Sequence, residues 1–130
     1  MIVVDASAVL ELLLQSERAE AVAAVVFAPS QRMHAPQLLD IEVVQVLRRL
    51  IQHKELVAAR ASSALDDYTS MAIERHAHTA LLRRVFELRD SMTSYDGAYV
   101  ALAEALDAPL ATCDARLARS HGHRVKITLI

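Results

Sequence analysis

Apolar positions along this chain alternate between two rhythms. Ile2-Val3-Val4 is short, β-branched and apolar throughout, as expected of a central parallel strand buried on both faces. From Ala6 to Leu14 the apolar residues Val9, Leu10, Leu13 and Leu14 instead recur at helical spacing. Ser16 is a candidate cap for a second helix from Glu17 to about Phe27, which Pro29-Ser30 ends. Met33-His34-Ala35 reads as a weak strand. After Pro36 comes a helix with one apolar stripe of Val43, Val44, Leu47, Leu50 and Ile51, and with Glu42, Gln45 and Arg49 on another face. Helical spacing returns over about Leu56 to Tyr68 and Thr79 to Leu88, and Met71-Ala72-Ile73 between them is a short strand candidate. Behind Ser94 as a possible N-cap, Tyr95, Tyr99, Leu102 and Leu106 recur at i, i+4, i+7 and i+11. Pro109 restarts the chain as the strand Leu110 to Cys113, and Val125 to Ile130 alternates weakly as a last one. Strands alternating with helices predict a three-layer α/β/α fold with a mainly parallel central sheet, and residues 1–130 read as one domain.

Composition narrows this picture. The chain is 54% hydrophobic with two Gly and three Pro, and only 4% aromatic with no Trp, so the expected core is aliphatic and base stacking is not its main source of affinity for any nucleic acid. A net charge of −2 excludes the basic footprint of a protein that grips duplex DNA by phosphate neutralisation. A nucleic-acid substrate would have to be held locally, by metal ions and by arginines such as Arg48, Arg49, Arg83, Arg84, Arg116 and Arg119. Taken singly, most of these read as ordinary helix-surface charges. The single cysteine cannot form an intrachain disulfide and sits in an apolar run, as a buried strand residue of a cytoplasmic protein would. No secretory leader and no apolar run of spanning length is visible, so no membrane association is expected.

The chemistry lies in four acids at points where the chain changes rhythm. Asp5 closes the first strand, Glu42 opens an apolar-periodic stretch, Asp96 opens another, and Asp114 closes Leu110-Ala111-Thr112-Cys113. An Asp after a strand lies at the sheet's carboxyl edge, where open parallel sheets build their crevices, and an acid in a helix's first turn lies near that edge too. Carboxylates brought that close raise one another's pKa unless a divalent cation lies among them, so the pattern points to one acidic, metal-binding pocket. Small or hydroxyl residues accompany these acids: Ser7, Ser94 and Thr112. Glu17, Glu20, Asp66, Asp67, Glu74 and Glu104 fall inside helical stretches and read as surface charge.

Val4-Asp5-Ala6-Ser7, Pro36-x-Leu38 followed by Glu42, Thr93 to Ala103, and Ala111-Thr112-Cys113-Asp114-Ala115-Arg116-Leu117 resemble the ordered motifs of the PIN-domain nucleases, and among them the VapC toxins of toxin–antitoxin pairs. That resemblance spans the whole chain. It implies a PIN-like fold and an endoribonuclease dependent on Mg²⁺ or Mn²⁺ that hydrolyses phosphodiester bonds in cellular RNA. It also implies a homodimer and a small VapB-like antitoxin as inhibitor. Carried over by position, it implies catalytic roles for Asp5, Glu42, Asp96 and Asp114, with Asp5, Asp96 and Asp114 on the metal and Ser7, Thr112 and Gln45 as supporting polar groups. At Gln45 many relatives carry Asn. The expected docking groove for an antitoxin is the apolar surface of the first helix (Val9, Leu10, Leu13, Leu14) and the helix after it.

Two other readings stand beside this one. A Mg²⁺-dependent phosphatase of haloacid-dehalogenase type also uses an Asp after its first strand, but expects a second two residues later, where this chain has Ser7. A non-catalytic module binding RNA or a protein would be favoured by a missing acid, and none is missing. The pairs His76-Ala-His78 and His121-Gly-His123 could ligate zinc, but lack CxxC partners and read as surface or loop histidines.

Overall fold

The computed structural model describes residues 1–130. Five strands, β1 (Ile2–Val4), β2 (Met33–Pro36), β3 (Ile73–His76), β4 (Leu110–Thr112) and β5 (Ile127–Leu129), form one sheet in the order β3-β2-β1-β4-β5. Every pairing is parallel. Seven α-helices connect them: α1 (Ala6–Leu14), α2 (Ala19–Val26), α3 (Leu38–Gln52), α4 (Ala58–Ser70), α5 (Leu82–Glu87, after a 3-10 turn at Thr79–Leu81), α6 (Ser94–Leu106) and α7 (Ala115–Ala118). The three-layer α/β/α expectation holds, and the sheet is wholly parallel.

β1 is central, and all of its residues are buried. It changes partner here, pairing with β2 on one side and β4 on the other, so the chain's first strand sits at the topological switch point. One continuous aliphatic core surrounds it, with Val3, Ala8, Val22, Leu39, Val43, Val100, Leu110 and Ala111 fully enclosed. With only two glycines, the chain ends α1 and α6 on non-glycine residues in the left-handed region, Gln15 (φ 50°) and Asp107 (φ 49°). Gly97 is used for contact: a Cβ there would lie 3.2 Å from Val85 Cγ1, so the missing side chain lets α5 and α6 approach closely.

Several boundaries differ from expectation for identifiable reasons. Ser16 caps nothing, because the chain first turns through Gln15 and α2 starts at Ala19 without a side-chain cap. The cap of α6 is Thr93, whose hydroxyl accepts the Asp96 amide at 3.2 Å, not Ser94. β3 lies two residues later than Met71-Ala72-Ile73 and so contains His76. α3 begins at Leu38, making Asp40 the acid of its first turn and placing Glu42 a turn further in. Its buried stripe is Leu39, Val43 and Leu47, while Val44 and Ile51 are exposed. Cys113 lies just past β4 and is only partly buried.

Candidate active site

Asp5 leaves β1 and caps α1. Its Oδ1 accepts the Ala8 amide at 3.0 Å and the Ser7 hydroxyl at 2.7 Å, and its Oδ2 accepts the Thr112 hydroxyl at 2.5 Å. The Thr112 hydroxyl in turn accepts the Asp114 amide at 2.9 Å, and the Ser7 hydroxyl accepts the Cys113 amide at 2.9 Å. Ser7 and Thr112 therefore join the carboxyl ends of β1 and β4 and fix Asp5 from two sides. Burial pushes the Asp5 carboxyl up, against the hydrogen bonds from Thr112, Ser7 and Ala8, with Asp96 adding to the rise.

Asp114 caps α7, accepting the amides of Arg116 at 2.8 Å and Leu117 at 3.4 Å. Burial raises its carboxyl, but these amides and the Arg116 guanidinium outweigh that and hold it below the usual range. Asp96, in the first turn of α6, is half-buried and pushed up by burial despite Arg116. The Arg116 guanidinium spans the two, at 3.0 Å from Asp96 Oδ2 and 3.1 Å from Asp114 Oδ2. Of the arginines read as lining the approach, Arg116 is the one that reaches the acids. Arg84 is instead paired with Glu104 at 2.8 Å, which makes Glu104 a structural partner and not a free surface charge.

Glu42 enters from α3. Burial first, then the charges of Asp5 and Asp96, push its carboxyl to about 7. Its Oε1 is buried without a hydrogen bond of full geometry, and so is the hydroxyl of Tyr99 on α6, whose own titration is raised by burial first and then by Glu42. The Tyr99 hydroxyl is close enough to lower the Glu42 titration, yet no hydrogen bond of full geometry joins the two, which is unusual for buried polar atoms in a folded interior. Gln45, one helical turn on, is exposed.

The fold thus directs all four acids named from sequence to one field at the carboxyl edge of the sheet, and each that shifts upward does so through burial and through another of the four. They are not drawn into a single tight cage. The one trio of His, Cys, Asp or Glu side chains whose ligand atoms all lie within 4.8 Å of one another is His34, Glu74 and His76, elsewhere in the sheet. A cleft of about 670 Å³ is also elsewhere, lined by Ala103, Glu104, Pro109, Arg124 and Lys126 near the start of β4.

What sequence reading missed is the Asp40 network. Asp40 Oδ1 accepts the Tyr68 hydroxyl at 2.5 Å and Arg75 Nε at 3.1 Å, and the Arg75 guanidinium lies 5.1 Å from the Tyr68 ring centroid. It ties α3, the helix that carries Glu42, to α4 and β3. No periodicity marks such a contact, because its three members lie on three different elements. Of the residues expected to line an antitoxin groove, Val9, Leu10 and Leu13 are buried in the core and Leu14 is partly exposed, while the exposed large apolar residues include Ile41 and Val44 on α3 and Leu82 and Phe86 on α5.

A wholly parallel five-stranded sheet with acids gathered at its carboxyl edge is the architecture of the PIN domain, and the model of that family matches residues 2–121. Ribonuclease VapC9 of Mycobacterium tuberculosis (strain ATCC 25618 / H37Rv) is 40% identical over 130 residues, covering 100% of this chain and 98% of that protein. Ribonuclease VapC12 of the same strain is 38% identical, covering 100% and 99%. Among solved structures, VapBC2 from Rickettsia felis bound to a promoter DNA fragment superimposes with a TM-score of 0.72 at 15% identity, covering 99% of this chain and 98% of that one. The chain belongs to the PIN-domain family, within its VapC ribonuclease branch. The phosphatase alternative finds no support: the residue two after Asp5 is Ser7, which serves as a hydrogen-bond donor to it.

Proposed function

We propose that this protein is a metal-dependent endoribonuclease, a single PIN domain acting as the toxin of a VapBC-type pair, with Asp5, Glu42, Asp96 and Asp114 as its catalytic acids. The observation that carries the reading is the convergence of these four acids from β1, α3, α6 and β4 at one sheet edge, with Glu42 Oε1 buried and unpartnered. An all-oxygen donor set suits a hard cation, Mg²⁺ or Mn²⁺, and an orphaned buried carboxylate oxygen is a group that such an ion or its water would satisfy.

Asp5, Asp96 and Asp114 would hold the ion. When bound, it would lower the pKa of the attacking water and neutralise charge on the scissile phosphate. Ser7 and Thr112 keep Asp5 in one rotamer, so that its position is set before substrate arrives. Glu42 orients the water and takes its proton at Oε1, the oxygen that no protein group occupies. Arg116 bridges Asp96 and Asp114, and its exposed guanidinium beside them is suited to an RNA phosphate. Gln45 completes the polar face of α3.

The partners this reading implies are RNA as substrate, a VapB-like antitoxin as inhibitor, and a second copy of the chain. The apolar side chains exposed on α3 and α5 are the surface offered to them. No helix is long and apolar enough to cross a membrane, and the place of action is the cytoplasm. The test is incubation of structured RNA with chelator-treated protein, then with Mg²⁺ or Mn²⁺ restored. Cleavage that appears only with the ion is the expected result, and undiminished cleavage in excess EDTA would overturn the reading.

A further inference from the structure

β2 and β3 pair in parallel with His34 opposite Glu74 and Pro36 opposite His76. Arg75, between Glu74 and His76, reaches Asp40 and Tyr68 on α3 and α4. Strand alternation therefore sends His34, Glu74 and His76 to the other face of the sheet, away from that network. There His34 Nδ1 lies 2.9 Å from His76 Nε2 and 3.6 Å from Glu74 Oε2, and His76 Nε2 lies 4.0 Å from Glu74 Oε1. Two ligands at tetrahedral zinc are about 3.3 Å apart, given Zn–N and Zn–O lengths of about 2.0–2.1 Å. The three separations bracket that value.

We infer that His34, Glu74 and His76 form a second cation site, for a borderline transition-metal dication such as Zn²⁺, distinct from the acidic pocket and joining edge strand β3 to β2. The donor chemistry separates the two sites. Two imidazoles and one carboxylate favour Zn²⁺ and its neighbours, whereas four carboxylates favour Mg²⁺ or Mn²⁺. Three protein ligands leave a fourth position for water, and Glu74, 60% exposed at its side chain, provides the route in from solvent. His34 is buried, which keeps its ring neutral as ligation requires. The proton balance closes. Two neutral rings now share one N–H between the facing nitrogens; on binding, that proton moves to the far nitrogen of its own ring, leaving both facing nitrogens free for the ion. The Glu74 carboxylate supplies the compensating charge. As the outermost strand, β3 has a neighbour on one side only, so a tie to β2 would hold the edge that also carries Arg75.

The experiment uses the full chain, stripped with chelator and dialysed, and titrated with ZnCl2 by calorimetry and with CoCl2 by visible absorption. With saturating Mg²⁺ present to fill the acidic pocket, one equivalent of Zn²⁺ and a tetrahedral Co²⁺ band are expected. Glu74→Gln should weaken binding by about tenfold or more, and His76→Gln should abolish the band. Asp96→Asn should leave it intact, which separates this site from the acidic pocket whether or not that pocket is catalytic. Should His76→Gln fail to fold, ring resonances of His34 and His76 in the parent must shift together at one equivalent of zinc. Loss of binding in Asp96→Asn, retention in His76→Gln, absence of a ring shift, or no zinc uptake at micromolar concentration would each overturn the assignment and leave the two rings as a plain hydrogen-bonded pair.

Discussion

Glu42→Gln removes the charge of a strongly perturbed acid while keeping its shape, and its surroundings set the sign of the effect and bound its size. In the metal-free protein the carboxyl is pushed from 4.5 to about 7 by burial and by Asp5 and Asp96. The folded protein therefore binds more protons than the unfolded chain between those values. The associated stability is fully present below pH 4.5 and is lost as pH rises through about 7. At roughly 1.4 kcal/mol per pH unit the ceiling is about 3–4 kcal/mol; because the group is only half-buried, solvent screening brings this to about 1–2 kcal/mol. Glutamine carries no charge at any pH. In EDTA the variant should melt about 3–8 °C above the parent at pH 8 and at the same temperature at pH 4. The assay is thermal unfolding by circular dichroism across that range. RNA cleavage at saturating Mn²⁺ should fall at least a hundredfold in the same variant, in line with the loss of a positioned acid or base. Melting curves of parent and variant that stay parallel from pH 4 to pH 8 would refute the reasoning, because Glu42 would then feel no more of its neighbours folded than unfolded.

The other expectations are shorter. Thr112→Val removes a buried hydroxyl that donates to Asp5 and accepts from the Asp114 amide; it should cost about 1–3 kcal/mol by urea unfolding and reduce cleavage sharply, and an active, equally stable variant would remove Thr112 from the site. Tyr68→Phe, which loses the hydroxyl bonded to Asp40, should cost about 1–2 kcal/mol with cleavage unchanged, so a selective loss of activity would mean that the Asp40 network reaches the chemistry. Asp5→Asn should abolish cleavage without the stability gain of Glu42→Gln, because the amide puts an N–H2 against a hydroxyl that now donates to Oδ2; a melting temperature raised as far as that of Glu42→Gln would contradict this.

The sheet and the positions of the acids were legible because each leaves a local mark. Ile2-Val3-Val4 is apolar on both faces because β1 is covered on both, and Asp5 and Asp114 follow their strands because a carboxylate there can cap the next helix. Glu42 was singled out for a partly mistaken reason. It lies a turn inside α3, and the helix dipole at its start acts on Asp40. What the sequence could not reveal are contacts between distant segments: Arg116 across Asp96 and Asp114, Tyr68 and Arg75 on Asp40, and His34 against His76. His76 in particular read as a loop residue because β3 was expected two positions too early, and only the pairing of Pro36 with His76 brings it to His34. The first helix was misjudged in the other direction. Its Val9, Leu10 and Leu13 are spent on the core, and the large apolar residues that stay exposed, such as Ile41, Phe27, Val57 and Phe86, lie mostly on other elements.

The central claim is that the four acids work through a bound divalent ion, and the most direct test is the single-turnover rate of RNA cleavage by chelator-stripped protein as Mn²⁺ is added, measured for the parent and for Asp96→Asn side by side. The account predicts no cleavage at zero ion, a saturable rise for the parent, and a variant that stays folded and inactive at every Mn²⁺ concentration. A parent rate independent of Mn²⁺, or an Asp96→Asn rate curve that overlays the parent's, would contradict it.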